Sequence, residues 1–365
     1  MAVLAPELRA HYDLTLGQTG VVLAAISIGM TPTLLPWGLL TDRIGERLVL
    51  ASGLAASAAA LAGAAFADSF TALVLLLVLS GACGASVNAA SGRAVMQWFP
   101  RSERGLALGI RQTNVPIGGL VASLALPPLA ASTGLRPPLL ALAAVCFAGA
   151  LAGAVFLRDP AERPEAALTR PLRDPATWRL SWGSGLLLFG QTATMSFTVL
   201  FLHSARGWST AAAAAVLAAS QVLGAAFRIG AGHWSDRLGA RIVPMRRLAL
   251  GIAATLLAVA LLTRAPGWLL APALVVAGGF GLSWNGLAFT AVAEIAGTAA
   301  SGAAIGLQQT VLGLVGAIAP VAFAAVVAGA SWRVAFLVSA TCPLLGWALL
   351  GRLSERTTGR DALYP

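Results

Sequence analysis

Three observations in the sequence predict an all-α integral membrane fold of two repeated, pseudo-symmetric helical bundles. Only 10% of the 365 residues are charged, while 58% are hydrophobic. Apolar runs of about 18 to 28 residues recur along the whole chain. A set of short motifs also appears twice in the same order, about 195 residues apart.

A soluble domain of this length needs far more polar surface than a mean hydropathy of +0.82 leaves it. In hydrocarbon every backbone N–H and C=O must be satisfied within the segment, and a run of about 20 residues does this as one helix. Eleven spans follow, at 18–40, 48–66, 70–97, 104–130, 137–157, 179–202, 209–233, 246–263, 268–294, 301–328 and 332–350. Their Ala- and Gly-rich composition suits close helix contact within a bundle.

The net charge of +10 comes from arginine alone, since none of the 24 basic residues is lysine. The long break at 158–178, closed by Arg179, brings five arginines, four acids and four prolines, and it reads as a cytoplasmic linker. With that loop inside, alternation places sixteen arginines in inside loops and five outside, namely Arg9, Arg136, Arg206, Arg264 and Arg333. The expected setting is a multi-pass protein of the plasma (inner) membrane with a cytoplasmic C-terminus. Orientation accounts for the charge, so the lipid bilayer and not nucleic acid is the expected macromolecular environment.

Cys83, Cys146 and Cys342 lie in apolar runs without metal-ligand spacing and read as small core residues. His11, His203 and His233 are scattered, and no nucleophile–base set or phosphate-cradling loop is present. An enzyme, a metal and a cofactor are therefore not expected. Met1 to Asp13 lacks the basic start and long apolar core of a cleavable signal.

Self-comparison gives the organisation. Gly38-Leu-Leu-Thr-Asp42-Arg43-Ile-Gly45-Glu-Arg47 matches Gly232-His-Trp-Ser-Asp236-Arg237-Leu-Gly239-Ala-Arg241. Gly81, Gly84, Ser86 and Asn88 recur as Gly278, Gly281, Ser283 and Asn285; Gly105, Gly109, Gln112 and Thr113 recur as Gly302, Gly306, Gln309 and Thr310. The order marks a parallel duplication. The expected domains are 1–157, a bundle of five spans plus the end of a further helix; 158–178, the linker; 179–350, a bundle of six spans; and 351–365, a cytoplasmic tail.

The repeated G-x-x-x-D-R-x-G-x-R loop resembles the hallmark of the major facilitator superfamily. With the charged linker and the Gly-rich fifth and eleventh helices, the resemblance extends over the whole chain. It implies six plus six helices and secondary transport of a small solute by alternating access, the protein working as a monomer. A proton or an exchanged anion would be the co-substrate. Span 179–202 then corresponds to helix seven, so most of helix one is missing here. Val3-Leu-Ala-Pro6-Glu-Leu is expected to be that helix's outer end; the favoured reading has the rest encoded upstream of Met1, and a genuine truncation is the alternative.

Gly38 and Gly232 permit close helix approach, and Gly45 and Gly239 the turn into the next helix. The resemblance implies that Asp42 and Asp236 meet the positive N-termini of helices eleven and five, near Ser301-Gly302 and Arg104-Gly105, and latch the outward-facing state. Arg43, Arg47, Arg237 and Arg241 are expected to pair within their own half or with lipid phosphates. Glu294 reads as the only acid buried within an apolar run. A partner for Arg237 or Arg241 is its favoured role, and proton coupling the alternative.

Three arginines, Arg93, Arg111 and Arg228, fall inside spans, where an unpaired charge is costly. Arg111, followed by Gln112, Thr113 and Asn114, reads as a ligand for an anionic substrate. Arg228 is divided evenly between that role and snorkelling, and Arg93 reads as snorkelling or paired. Asn88 and Asn285, at equivalent places in the two copies, join Gln112, Gln191, Gln309 and Trp284 as expected substrate-binding residues. Val115-Pro116-Ile-Gly118-Gly119 only partly resembles the fifth-helix motif of exporters. A small organic anion is therefore the expected cargo, with export of lipophilic drugs or metabolites as the alternative. A membrane sensor is less favoured, since no soluble domain is appended.

Overall fold

The computed structural model describes residues 4–158 and 170–353. Helix α1 (Ala5–His11) leads into α2 (Leu16–Ile44), α3 (Glu46–Ala64), α4 (Phe70–Gly84), α5 (Ser86–Trp98), α6 (Arg104–Arg111), α7 (Asn114–Thr133) and α8 (Arg136–Phe156). After a short α9 (Arg170–Arg173) come α10 (Pro175–Leu200), α11 (Thr210–Leu238), α12 (Ile242–Leu262), α13 (Gly267–Leu282), α14 (Asn285–Ala296), α15 (Ser301–Gly329) and α16 (Trp332–Leu350). Most of the 158–178 linker and of the 351–365 tail lies outside the described residues.

Ten helical stretches among the described residues are long and apolar enough to cross a membrane, with α4–α5 and α13–α14 each counting as one. Large apolar side chains such as Val145 and Val155 on α8 and Val222 on α11 are exposed, as lipid-facing positions require.

The expected single span at 104–130 is not continuous, because the helix breaks at Gln112–Thr113 between α6 and α7. The cause is local. Pro116 has no N–H to give the Gln112 carbonyl four residues back, and the Thr113 hydroxyl donates to the Ile110 carbonyl at 2.6 Å. In the second copy, Gly313 stands where Pro116 would fall, and α15 runs unbroken through Gln309 and Thr310. The α4–α5 and α13–α14 breaks, by contrast, occur at matching places, next to Ala85 and Ser283.

Contacts divide the chain into two compact units. One holds Met1–Gln97, Val115–Pro171 and Thr298–Thr310; the other holds Trp98–Asn114, Leu172–Gly297 and Val311–Pro365. Each unit thus includes a short segment from the opposite sequence half: the start of α15 packs with the first unit, and α6 packs with the second. Within the first, α2 packs on α4 and α3 on α8; within the second, α11 packs on α13 and α12 on α16. Leu4 and Leu8 bury α1 in a cluster with Leu61, Leu73, Leu77 and Leu126.

The borrowed segments fit because glycines face each other. A β-carbon on Gly38 would strike the Gly302 carbonyl, and one on Gly232 would strike the Gly105 carbonyl. We expect Gly38→Val to lower the thermal unfolding midpoint of the detergent-solubilised protein, since overpacking such a contact costs about 1–3 kcal/mol. Gly230→Ala on α11, where nothing lies within 4 Å, should instead stabilise; removing backbone freedom from the unfolded chain contributes about 0.4–1 kcal/mol.

Candidate functional site

The motif loops form two related charge clusters. Gly45, at φ 95°, ends α2 and starts α3 immediately. The Asp42 carboxylate then accepts hydrogen bonds from Gly302 N–H at 2.9 Å and Ala303 N–H at 2.7 Å, in the first turn of α15. In the second cluster, Gly239 at φ 60° caps α11. The Asp236 carboxylate accepts from Gly105 N–H at 3.0 Å and Leu106 N–H at 2.7 Å, in the first turn of α6. First-turn amides lack intrahelical acceptors and carry the positive end of the helix dipole, so a carboxylate satisfies both at once.

Each aspartate is joined by an arginine and a glutamate. Arg93 on α5 places Nε 3.3 Å from Asp42 Oδ1 and donates from Nη1 to Glu46 Oε2 at 2.8 Å. It also donates to the Thr41 carbonyl at 3.2 Å. Arg241 donates to Asp236 at 2.5 Å and to Glu294 on α14 at 3.1 Å, with further bonds to the Ser235 hydroxyl and the Arg101 carbonyl. The copies therefore use opposite polarity. In the first, the loop supplies the acid and α5 the base; in the second, the loop supplies the base and α14 the acid.

One expectation is corrected here. Glu294 is not the only buried acid, because Glu46 is fully buried and Asp42 nearly so. Glu46 is the first residue of α3, and the abrupt turn at Gly45 directs it inward onto Arg93 instead of into a solvated loop. Arg93 is paired in this way, and Glu294 pairs with Arg241 and, at 3.5 Å, with Arg101, not with Arg237. Arg43 and Arg237 are exposed at their helix ends, and Arg47 donates to the Ala154 carbonyl at 2.7 Å.

Arg228 is buried and donates from Nε to the Leu282 carbonyl and from Nη1 to the Gln112 carbonyl, both at 2.6 Å. Both acceptors lie at helix breaks, one ending α13 and the other between α6 and α7. Arg228 thus takes the carbonyl that Pro116 leaves unserved. The equivalent residue in the first copy is Leu34, and the equivalent helix there has no break.

Arg111, the last residue of α6, is half-buried, with its guanidinium 5.2 Å from the centroid of the Phe289 ring. It also donates to Gln112 Oε1 at 3.1 Å. Phe289 and Asn285 stand four residues apart on α14 and share a face. Asn285 Nδ2 in turn donates to Gln191 Oε1 on α10 at 3.2 Å. Trp284 is fully buried, with Nε1 lacking a hydrogen-bond partner. The second unit thus gathers Arg111, Gln112, Gln191, Arg228, Trp284 and Asn285. Asn88 on α5 and Gln309 on α15, both half-buried, belong to the first.

Sequence reasoning missed Glu46, Phe289 and Arg101. Glu46 was visible as an acid between two motif positions, but nothing local marks Phe289 or Arg101 as a partner. Among the described residues no group of three or more His, Cys, Asp or Glu could hold a metal ion.

Removing Arg93 leaves Asp42 and Glu46 buried together without their counter-charge. Arg93→Ala should therefore cost about 3–5 kcal/mol, read as a large fall in the thermal midpoint. The Arg101 side chain is 36% exposed and 3.5 Å from Glu294. Arg101→Ala should cost at most about 1 kcal/mol, because solvent screens that pair.

Comparison with known proteins gives a consistent picture. The profile of the Major Facilitator Superfamily matches residues 1–320. An uncharacterised MFS-type transporter of Mycobacterium tuberculosis is 35% identical over 350 residues, covering 94% of this chain and 78% of that protein. A probable sulfoacetate transporter, SauU, of Cupriavidus necator is 26% identical over 384 residues, covering 97% of this chain and 88% of its own length. Among solved structures, the transporter FucP in its outward conformation superposes with a TM-score of 0.80 at 19% identity, covering 96% of this chain and 93% of FucP.

Proposed function

The chain belongs to the major facilitator superfamily, and from that premise we propose that it carries a small organic anion across the membrane by alternating access. It is a membrane transporter and not an enzyme, and its substrate is a small molecule. The observation that carries the anion reading is Arg111, a half-buried arginine over Phe289, on the α14 face that also presents Asn285. A guanidinium there offers a carboxylate or sulfonate paired donors in a setting of low polarity, where a charge-assisted bond is strongest. Resemblance to a protein named as a probable sulfoacetate transporter supports the same class of cargo.

On this reading Asn285, Gln191 and Gln112 hold the polar remainder of the substrate, and Trp284 supplies a buried wall. Arg228 keeps the α6–α7 break open and so positions Arg111. The Asp42 and Asp236 clusters act as latches, made in one state of the cycle and broken in the other. The arginine-rich motif loops and the C-terminus face the cytoplasm, as the positive-inside bias supports.

Thermal stabilisation of the purified protein by sulfoacetate, compared with neutral and cationic lipophiles, tests this reading. Sulfoacetate should raise the midpoint saturably. Arg111→Ala should weaken its apparent affinity about tenfold or more, the equivalent of one charge-assisted hydrogen bond. Stabilisation confined to neutral or cationic lipophiles would replace this reading with export of such compounds.

A further inference from the structure

The second unit carries a cavity of about 300 Å³ at the helix ends opposite the Gly232–Arg241 loop. Three separate turns build it. Phe201, Ala205 and Arg206 come from the π-helical turn that ends α10, Thr263 and Arg264 from the turn after α12, and Ser331, Trp332 and Arg333 from the start of α16. Packing brings the three together, because α16 lies against both α10 and α12. Three arginines thus line one small space from positions up to about 127 residues apart in sequence.

No carboxylate of the same helices balances them. From Pro175 to Leu353 the sequence holds only two acids, Asp236 and Glu294, and both are bound to Arg241 at the opposite ends of their helices. Arg206 is held in place by donating from Nη2 to the Ala265 carbonyl at 2.7 Å, while its buried Nε has no hydrogen-bond partner. Like charges that line one small space repel, and an anion bound among them relieves that repulsion. Phe201 and Trp332, tilted against each other with ring centroids 5.2 Å apart, give the cavity an apolar wall. A space of this size, with arginine donors and an aromatic wall, fits a compact oxyanion and a short organic body.

We propose that this cavity is a second anion site, distinct from Arg111, that binds a phosphate or carboxylate group through Arg206, Arg264 and Arg333. In the orientation proposed above it opens at the outer face. There it takes either a soluble oxyanion or the phosphate of an anionic lipid headgroup, and the two sources share one chemistry. The π-helical turn supplies Phe201 and is capped by Arg206. Such a turn costs regular hydrogen bonding and recurs at functional sites, which accounts for its presence at a cavity wall.

The test uses the full chain, with inorganic phosphate as the soluble probe and phosphatidylglycerol as the lipid probe. Thermal midpoints are measured in detergent and in phosphatidylcholine nanodiscs with and without phosphatidylglycerol, with chloride at matched ionic strength as control. Phosphate should stabilise the protein saturably beyond chloride, and Arg264→Gln and Arg333→Gln should each weaken that effect about tenfold. Arg111→Ala should leave it intact. If phosphatidylglycerol stabilises the protein and abolishes the further response to phosphate, the site holds a lipid headgroup. If phosphate acts equally in both kinds of nanodisc, the site holds a soluble anion. The proposal is overturned if neither probe stabilises the wild type beyond chloride, if both arginine variants respond as the wild type does, or if Arg111→Ala removes the response. Because Arg264 and Arg333 are exposed, their variants are expected to fold even if Arg206→Gln does not.

Discussion

A carboxylate set on the first turn of a helix is the constraint around which the structure is arranged. Asp42 on α15 and Asp236 on α6 each satisfy two backbone amides that have no acceptor inside their own helix. That contact needs near-touching backbones, which is why Gly38 faces Gly302 and Gly232 faces Gly105. A carboxylate buried there also calls for a counter-charge, and Arg93 and Arg241 lie beside the two aspartates. Glycines, arginines and glutamates thus all follow from placing one negative charge at one positive helix end.

The duplication supplies this arrangement twice but fills it differently. Glu46 and Arg93 divide the charges between loop and helix one way, and Arg241 and Glu294 divide them the other way. An ion pair constrains the separation and the sum of its charges, not which element carries which sign, so either solution satisfies the same cluster. Such buried pairs contribute little net stability compared with an apolar filling, but they cannot lose one member cheaply. They suit contacts that define an arrangement of helices more than contacts that merely add stability.

The strongest departure from symmetry lies at the α6–α7 break. Pro116 and Arg228 have Gly313 and Leu34 as their counterparts, so proline and arginine occur together and are absent together. Proline leaves a carbonyl without its helical donor, and arginine at the crossing helix provides one. The result is a fixed irregularity that ends α6 at Arg111 and sets that side chain against α14. A locally unfavourable residue is thus compensated by a partner 112 positions away in the chain.

Membrane class, helical content, duplication and motif positions are all legible in the chain read as a string of residues. These rest on composition, apolar run length and spacing, which act locally and survive in a one-dimensional reading. The contact of Asp42 and Asp236 with helix N-termini was also legible, through resemblance to a motif. Which charges meet emerges only on folding: Glu46 with Arg93, Glu294 with Arg241, Arg228 with two helix breaks, and Arg206 in one cavity wall with Arg264 and Arg333. Side-chain pairing depends on crossing geometry between segments far apart in the chain, and periodicity within a segment carries no information about it. Three arginines in three loops read as three topology signals. Folding turns them into one positively charged cavity.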